Sequence, residues 1–153
     1  MSIEERLTEL GIVLPTPAAP LANYVPYTRE GKLLIVSGQL PMGPDGKLAY
    51  TGKLGGEVSL EDGAAAARLC AINCLAQVKA AAGGLDAVRQ VLRLGGFVNC
   101  TADFQQQPQV INGASELMVE VFGDKGRHAR AAVGSIALPF DAAVEVEMMV
   151  ALE

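Results

Sequence analysis

An arginine and a glutamate near the end of the sequence are the side chains best suited to chemistry on a small molecule. Arg130 comes just before one predicted strand, and Glu145 begins the next one. A hairpin between these strands would bring the two side chains close together, and the guanidinium fork of an arginine matches the shape of a carboxylate. Two interpretations follow: a ligand-binding pair, or a surface ion pair of the kind that charged strand ends commonly form.

The other reactive side chains form no recognisable motif. Cys70 and Cys74 lie four residues apart on one face of a predicted helix, but a structural zinc ion needs four nitrogen or sulfur ligands. We therefore expect these residues and Cys100 to be buried thiols, with no metal and no disulfide framework. The lone histidine, His128, is expected to support its neighbours. The glycine pairs lack the spacing of phosphate-binding loops, so no cofactor is predicted.

The composition is that of a compact globular protein. Of the 153 residues, 50% are hydrophobic and 19% are charged, and no shift in composition divides the chain, so one domain over 1–153 is predicted. The net charge of −5, with the cations dispersed, weighs against a nucleic-acid partner. No apolar run approaches the roughly 20 residues that cross a membrane, and the first residues do not resemble a secretion signal, so a cytoplasmic location is expected.

Hydrophobic periodicity predicts a short amphipathic helix at about 3–10, followed by an extended segment. Ile3, Leu7 and Leu10 share one helical face, and Pro15, Pro17 and Pro20 then disfavour regular structure. Ser59 has the chemistry of a helix N-cap. The remaining predicted elements are strands at 23–28 and 32–37, a long helix that starts at Ser59 and ends at Ala82, one strand over 88–100 interrupted at Gly95-Gly96, a helix over 108–122, and strands at 131–138 and 143–152.

This order predicts an α+β fold in which two helices pack on one face of a mixed β-sheet. The opposite face of the sheet has no helix to cover it. In a chain this apolar, an uncovered sheet face favours burial against another subunit. An oligomer is therefore expected.

Several segments resemble the RidA/YjgF family of reactive-intermediate deaminases. The segment 37–41, SGQLP, is similar to the family's SGQ-x-P motif, and the stretch from Arg130 through Leu138-Pro139 to Glu145 resembles its R-x-x-V…LP…VEIE signature. Tyr24 and Asn112 are similar to a tyrosine and an asparagine of the family's site. The leading helix and the loop over 50–58 resemble a longer, chorismate-mutase-like subgroup.

The resemblance implies a homotrimer that hydrolyses 2-enamino and 2-imino acids to 2-oxo acids and ammonia. Arg130 would hold the substrate carboxylate and Glu145 would position water, while Ser37, Gly38, Tyr24 and Asn112 would bind the substrate. A protonated imine carbon is already electrophilic, so a carboxylate that orders water and relays protons is nearly all the catalysis that hydrolysis needs. Ala132 stands where the family's deaminating members carry a cysteine, which leaves pocket shape and substrate range open.

Two other functions remain open at this point. A non-catalytic trimer could bind a small carboxylate metabolite through Arg130, but binding alone would not require Glu145. An endoribonuclease is a distant third, because the chain is acidic and has a single histidine.

Overall fold

A computed structural model describes residues 1–17 and 23–153, so the prediction at Pro20 lies outside the described residues. The helices and strands agree with the predicted order, and most of their ends lie within a few residues of those predicted. The helices are α1 (Ile3–Glu9), α2 (Leu60–Ala82) and α3 (Gln107–Phe122). The strands are β1 (Tyr27–Glu30), β2 (Leu33–Gln39), β3 (Val88–Asn99), β4 (Ala129–Ser135) and β5 (Val144–Leu152). Short 3₁₀ helices occupy Leu85–Ala87, Gly123–Gly126 and Pro139–Asp141.

The long helix α2 begins and ends where the sequence predicts. The Ser59 hydroxyl accepts a hydrogen bond from the backbone N–H of Asp62 at 3.1 Å, which satisfies one of the free donors of the first turn. Gly83 ends the helix in the left-handed conformation, with φ of 80°. The first strand is displaced from its prediction: β1 starts at Tyr27, so Tyr24 lies in the segment before it.

The sheet has the strand order β1-β2-β5-β3-β4. Helix α3 carries the chain from β3 to β4, which pair in parallel, and β5 then inserts between β2 and β3 in antiparallel pairing with both. The predicted hairpin between the strands of Arg130 and Glu145 is therefore wrong. A helical crossover makes parallel pairing with β3 available to β4, and β4 becomes an edge strand with β3 between it and β5.

The predicted interruption of β3 at Gly95-Gly96 is also wrong, because the strand is continuous from Val88 to Asn99. Its irregularities against β5 fall nearer the start, before Arg93. Gly96 instead marks a close approach of α3 to the strand. A Cβ atom on Gly96 would collide with the side chain of Ile111, so its absence allows α3 to pack tightly on the sheet.

Both long helices pack on the same face of the sheet and on each other. Val144, Val146 and Met148 of β5 point toward them and are buried. The Sγ atoms of Cys70 and Cys74 on α2 lie 3.5 and 3.4 Å from the carbonyl oxygens of Val144 and Val146. All of the cysteines are free and buried, as predicted, and burial raises the pKa of the Cys70 and Cys74 thiols.

No helix among the described residues packs on the opposite face of the sheet. Cross-strand register aligns Ile35 with Met149 and, in a separate row, Val133 with Phe97, and these apolar side chains are only partly buried. Arg93 and Glu147 form an ion pair on the same face at 3.5 Å. We call this surface the open face. The predicted α+β architecture, with its helices on one side, is confirmed; within the described residues, no helix is long and apolar enough to span a membrane.

Candidate active site

Arg130 lies in a cleft of about 580 Å³ between α3 and β4, which we call the Arg130 cleft. Arg130 pairs with Leu94 of β3, and Leu94 pairs with the buried Met148, so its side chain is on the helix-covered face. The residues that line the cleft include Asn112, Ser115, Glu116, Arg127, His128 and Arg130. Two of the residues expected in the site, Arg130 and Asn112, therefore lie together.

A chain of hydrogen bonds fixes the Arg130 guanidinium. Its Nη1 donates to the Ser115 hydroxyl at 3.1 Å, and its Nη2 donates to the Pro108 carbonyl at 3.4 Å. The other side of the Ser115 hydroxyl faces Nε2 of His128 at 2.9 Å, and Nδ1 of His128 lies 2.6 Å from the carbonyl oxygen of Gly126. A carbonyl only accepts, so in the neutral ring Nδ1 carries the proton and Nε2 accepts from Ser115. His128 therefore supports Arg130 through Ser115, as expected of it.

Ser115 is a site residue that the sequence analysis missed. It lies three residues after Asn112 on α3, so the two side chains lie on neighbouring positions of one helical face. That spacing is the signal that could have identified it once Asn112 was chosen.

Glu145 lies in a second cleft, of about 380 Å³, which we call the Glu145 cleft. Its lining residues are Tyr24, Gly38, Leu40, Pro139, Phe140 and Glu145. Gly38 leaves room for the Glu145 carboxylate, because a Cβ atom at this position would collide with the carboxylate and displace it. The hydroxyl of Ser37 donates to the carbonyl of Val25 at 2.8 Å, which ties the segment that carries Tyr24 to β2. Ser37 thus positions the cleft without lining it.

Burial raises the pKa of the Glu145 carboxyl above its usual range, and the nearby charge of Glu147 raises it further. A carboxylate with a raised pKa is a stronger base than an ordinary surface glutamate. Glu145 is therefore suited to accept a proton from a water molecule and to return it later in a reaction.

A strained turn forms one wall of the Glu145 cleft, and it too was missed from the sequence. Phe140 and Asp141 both have left-handed φ angles, 57° and 58°, which bulky residues rarely adopt. The fully buried Asn99 holds the turn: its Nδ2 donates to the Asp141 carboxylate at 3.1 Å. Its Oδ1 accepts from Nζ of Lys53 at 2.7 Å. This turn presents the Phe140 ring to the cleft.

The two clefts open on different faces of the sheet. Glu145 pairs with Phe97, which pairs with Val133 of the open face, whereas Arg130 lies on the helix-covered face. Within one chain, Tyr24, Gly38 and Glu145 therefore lie together, but apart from Arg130 and Asn112. In the described part of the chain, no group of three or more His, Cys, Asp or Glu side chains is arranged to hold a metal ion.

A family model and a known protein both match nearly the whole chain. Residues 4–152 match the family model described as "YjgF/chorismate mutase-like, putative endoribonuclease". The protein TCP17 of Trypanosoma cruzi is 49% identical over 151 residues, which cover 98% of this chain and 94% of that protein.

Two of the similar solved structures match nearly the whole chain. A protein of unknown function from Agrobacterium tumefaciens is 53% identical with a TM-score of 0.92, covering 99% of this chain and 92% of its own. A Shewanella oneidensis protein, also described as an endoribonuclease, is 38% identical with a TM-score of 0.96, covering 99% and 100%. Escherichia coli TdcF shares the fold at 18% identity and a TM-score of 0.62, covering 90% and 94%.

Proposed function

Because the chain belongs to the YjgF/RidA family, we propose that it hydrolyses reactive 2-enamino and 2-imino acids to 2-oxo acids and ammonia. We further propose that it does so as a homotrimer, at sites shared between neighbouring subunits. The observation that carries this proposal is the division of the required groups between two clefts on opposite faces of one sheet. One cleft has a fixed cation for a carboxylate, and the other has a base.

The Arg130 cleft supplies substrate binding. The serine–histidine chain holds the guanidinium in place, so less side-chain entropy is lost when it forms a charge-assisted pair with the substrate carboxylate. Asn112 lines the same cleft and offers amide hydrogen bonds. A solved structure of Escherichia coli TdcF contains bound serine, which supports an amino-acid-sized ligand for this fold.

The Glu145 cleft supplies proton transfer. Water adds to C2 of the protonated imine while Glu145 accepts a proton from it, which gives a carbinolamine. Glu145 then returns the proton to nitrogen, and the C–N bond breaks to release ammonia. The hydroxyl gives its proton to Glu145 to form the 2-oxo acid, and Glu145 passes that proton to the departing ammonia, which leaves as ammonium. The raised pKa of Glu145 suits it to these proton transfers.

The exposed apolar side chains of the open face favour association into a trimer. Apolar side chains such as Ile35 and Val133 are 40% and 46% exposed there, and association would remove them from water. In a closed ring whose open faces line the centre, each interface is head-to-tail, and the β4 edge of one subunit, with its Arg130 cleft, would lie against the Glu145 cleft of the next.

A non-catalytic trimer that binds small carboxylate metabolites is the second candidate, since the Arg130 cleft contains all that binding requires. A base with a raised pKa in the other cleft favours catalysis over binding alone. We do not propose a ribonuclease, although the family description names one. Both ring nitrogens of His128 already have hydrogen-bond partners, and the chain has a net charge of −5.

An imine-lifetime assay tests the proposal. An L-amino acid oxidase generates 2-imino acids in solution, and semicarbazide traps those that persist. We expect the protein to lower semicarbazone formation and Glu145→Gln to have little effect at equal concentration. If the wild-type protein leaves the imine lifetime unchanged for every amino acid tested, the deaminase proposal is wrong. Binding of a 2-oxo acid in that case would favour the metabolite-binding trimer.

A further inference from the structure

We propose that Phe140 determines which substrates the site accepts, by forming an aromatic wall that favours 2-imino acids with large apolar or aromatic side chains. This inference rests on the proposed function and names the substrate class for the same site. Its basis is the position of the ring, the turn that holds it and the chemistry of the cleft around it.

The Phe140 ring is exposed where a ring of this size would ordinarily be buried. It is 68% exposed and lines the same cleft as Glu145. An aromatic side chain held in water gains free energy when an apolar group of a ligand covers it. The exposed ring is therefore suited to contact a substrate.

The backbone holds this ring in place at an energetic cost. Left-handed φ angles at two consecutive non-glycine residues persist only where the surroundings enforce them, and such residues cluster at functional sites. Here the buried Asn99 and the backbone of Gly52 enforce them. Asn99 binds the Asp141 carboxylate, and the Gly52 N–H donates to the Asp141 carbonyl at 2.8 Å. Because these hydrogen bonds hold Asp141, they also fix the position of the adjacent Phe140.

The remaining lining of the cleft matches an apolar group. Apart from Glu145, the side chains around it belong to Tyr24, Leu40, Pro139 and Phe140. None of these is charged, and the Tyr24 hydroxyl is the one polar group among them. A polar substrate side chain would find few partners here to replace its hydrogen bonds to water, whereas an apolar one would gain from burial.

The geometry of the substrate directs its side chain to this wall. In a 2-imino acid the carboxylate and the side chain are both bonded to C2 and diverge from it at about 120°. In the proposed shared site, the carboxylate binds Arg130 of one subunit and C2 lies beside Glu145 of the next. The side chain, which diverges from the carboxylate, then extends on the Glu145 side of C2, where Phe140 lines the cleft.

The test compares kcat/KM for imines derived from phenylalanine, leucine and alanine. We expect the wild type to prefer the two larger substrates. Phe140→Ala should lower kcat/KM for them by about tenfold, the effect of losing apolar contact in a pocket, and change it less than about twofold for the alanine imine. Phe140→Leu should retain most of the preference for the leucine imine. Ile136→Ala is the matched control, because Ile136 is 91% exposed in the same loop and lies outside the cleft.

A wild type without preference for large substrates, or an equal change for all three imines in Phe140→Ala, would overturn the inference while leaving the deaminase proposal intact. If Phe140→Ala does not fold, Phe140→Gly tests the same ratio, because glycine suits the left-handed backbone. If the wild type hydrolyses no imine, the proposed function fails, and calorimetry with phenylpyruvate and pyruvate decides the inference. Tighter binding of phenylpyruvate that Phe140→Ala abolishes supports the wall, and equal binding of both acids contradicts it.

Discussion

At the scale of single residues, the proposed reaction depends on two charged side chains whose surroundings differ. Arg130 is held by hydrogen bonds to Ser115 and to the Pro108 carbonyl, whereas Glu145 lies among apolar groups that raise its pKa. The first environment suits a binding residue and the second suits a base. Substitutions at the two positions should therefore have separable effects.

Arg130→Ala should weaken the binding of a 2-oxo acid by tenfold or more. A hydrogen bond to a charged group contributes about 1.5–3 kcal/mol, and the substitution removes a bidentate partner. Isothermal titration calorimetry with the wild type and the variant measures the loss. Arg89→Ala is the control, since Arg89 is exposed on β3 and lines neither cleft. Equal losses in the two variants would indicate a general charge effect in place of a specific contact.

Glu145→Gln should lower turnover by roughly 10²–10⁴ and leave 2-oxo acid binding nearly unchanged, because proton transfer is lost while shape is kept. The same variant should be more stable than the wild type near neutral pH. A carboxyl whose pKa is raised by folding contributes stability below its unfolded pKa and loses that contribution as the pH rises through the folded value. The gain in melting temperature should therefore shrink as the pH falls through and below the usual glutamate range, because Glu145 of the wild type then becomes protonated and, like glutamine, neutral. A gain that is independent of pH would refute the assigned shift.

The sequence made Arg130 and Glu145 candidates for the site because their types and their positions in a signature are visible in the chain. It did not identify Ser115 or Phe140. Serine on a helix and phenylalanine after proline are ordinary residues in a sequence. Their roles arise from the hydrogen bond to Arg130 and from a left-handed turn that Asn99 holds from a distant strand.

At the scale of elements, the packing of α2 against α3 depends on a glycine. Gly113 lies within α3, and a Cβ atom there would collide with the backbone of Ala64 on α2. Helix propensity alone favours Gly→Ala by about 1 kcal/mol. The collision involves backbone, which cannot move aside as a flexible side chain can, so packing outweighs propensity.

Gly113→Ala should therefore lower the free energy of unfolding by about 2 kcal/mol, the usual scale of an overpacked core. Chemical denaturation monitored by circular dichroism measures it. Gly84→Ala is the control, because Gly84 has an extended backbone and open space around it. If Gly113→Ala is as stable as the wild type, the close contact between the helices is not as described.

The order and type of the elements could be predicted from hydrophobic periodicity, caps and turns, but the pairing of the last two strands could not. Strands that follow one another in the sequence often form a hairpin, so the sequence predicts that β4 and β5 pair with each other. The structure pairs β4 with β3 across α3, which is a non-local choice. Local sequence patterns do not encode this pairing. The pairing places Arg130 on the edge strand that is farthest from β2.

At the scale of the whole molecule, the open face should determine assembly. Val133→Glu places a second negative charge in the cross-strand row that contains Phe97 and Glu145. In the expected trimer this charge would be buried without a partner and near Glu145, so the substitution should dissociate the trimer. Size-exclusion chromatography with light scattering measures the mass. Val13→Glu is the control, because Val13 is 88% exposed and lies beside α2, away from the open face. A wild type that is monomeric at micromolar concentration would contradict the assembly outright.

Subunit complementation tests most directly whether Arg130 and Glu145 act together across subunits. Arg130→Ala and Glu145→Gln chains, each with a different affinity tag, are co-expressed, and mixed trimers are isolated on both tags. In a closed ring with head-to-tail interfaces, each mixed trimer contains one interface with both native residues, so about one third of wild-type turnover should return. Each variant alone should be nearly inactive. Mixed trimers that are no more active than their parents would contradict a site shared between subunits.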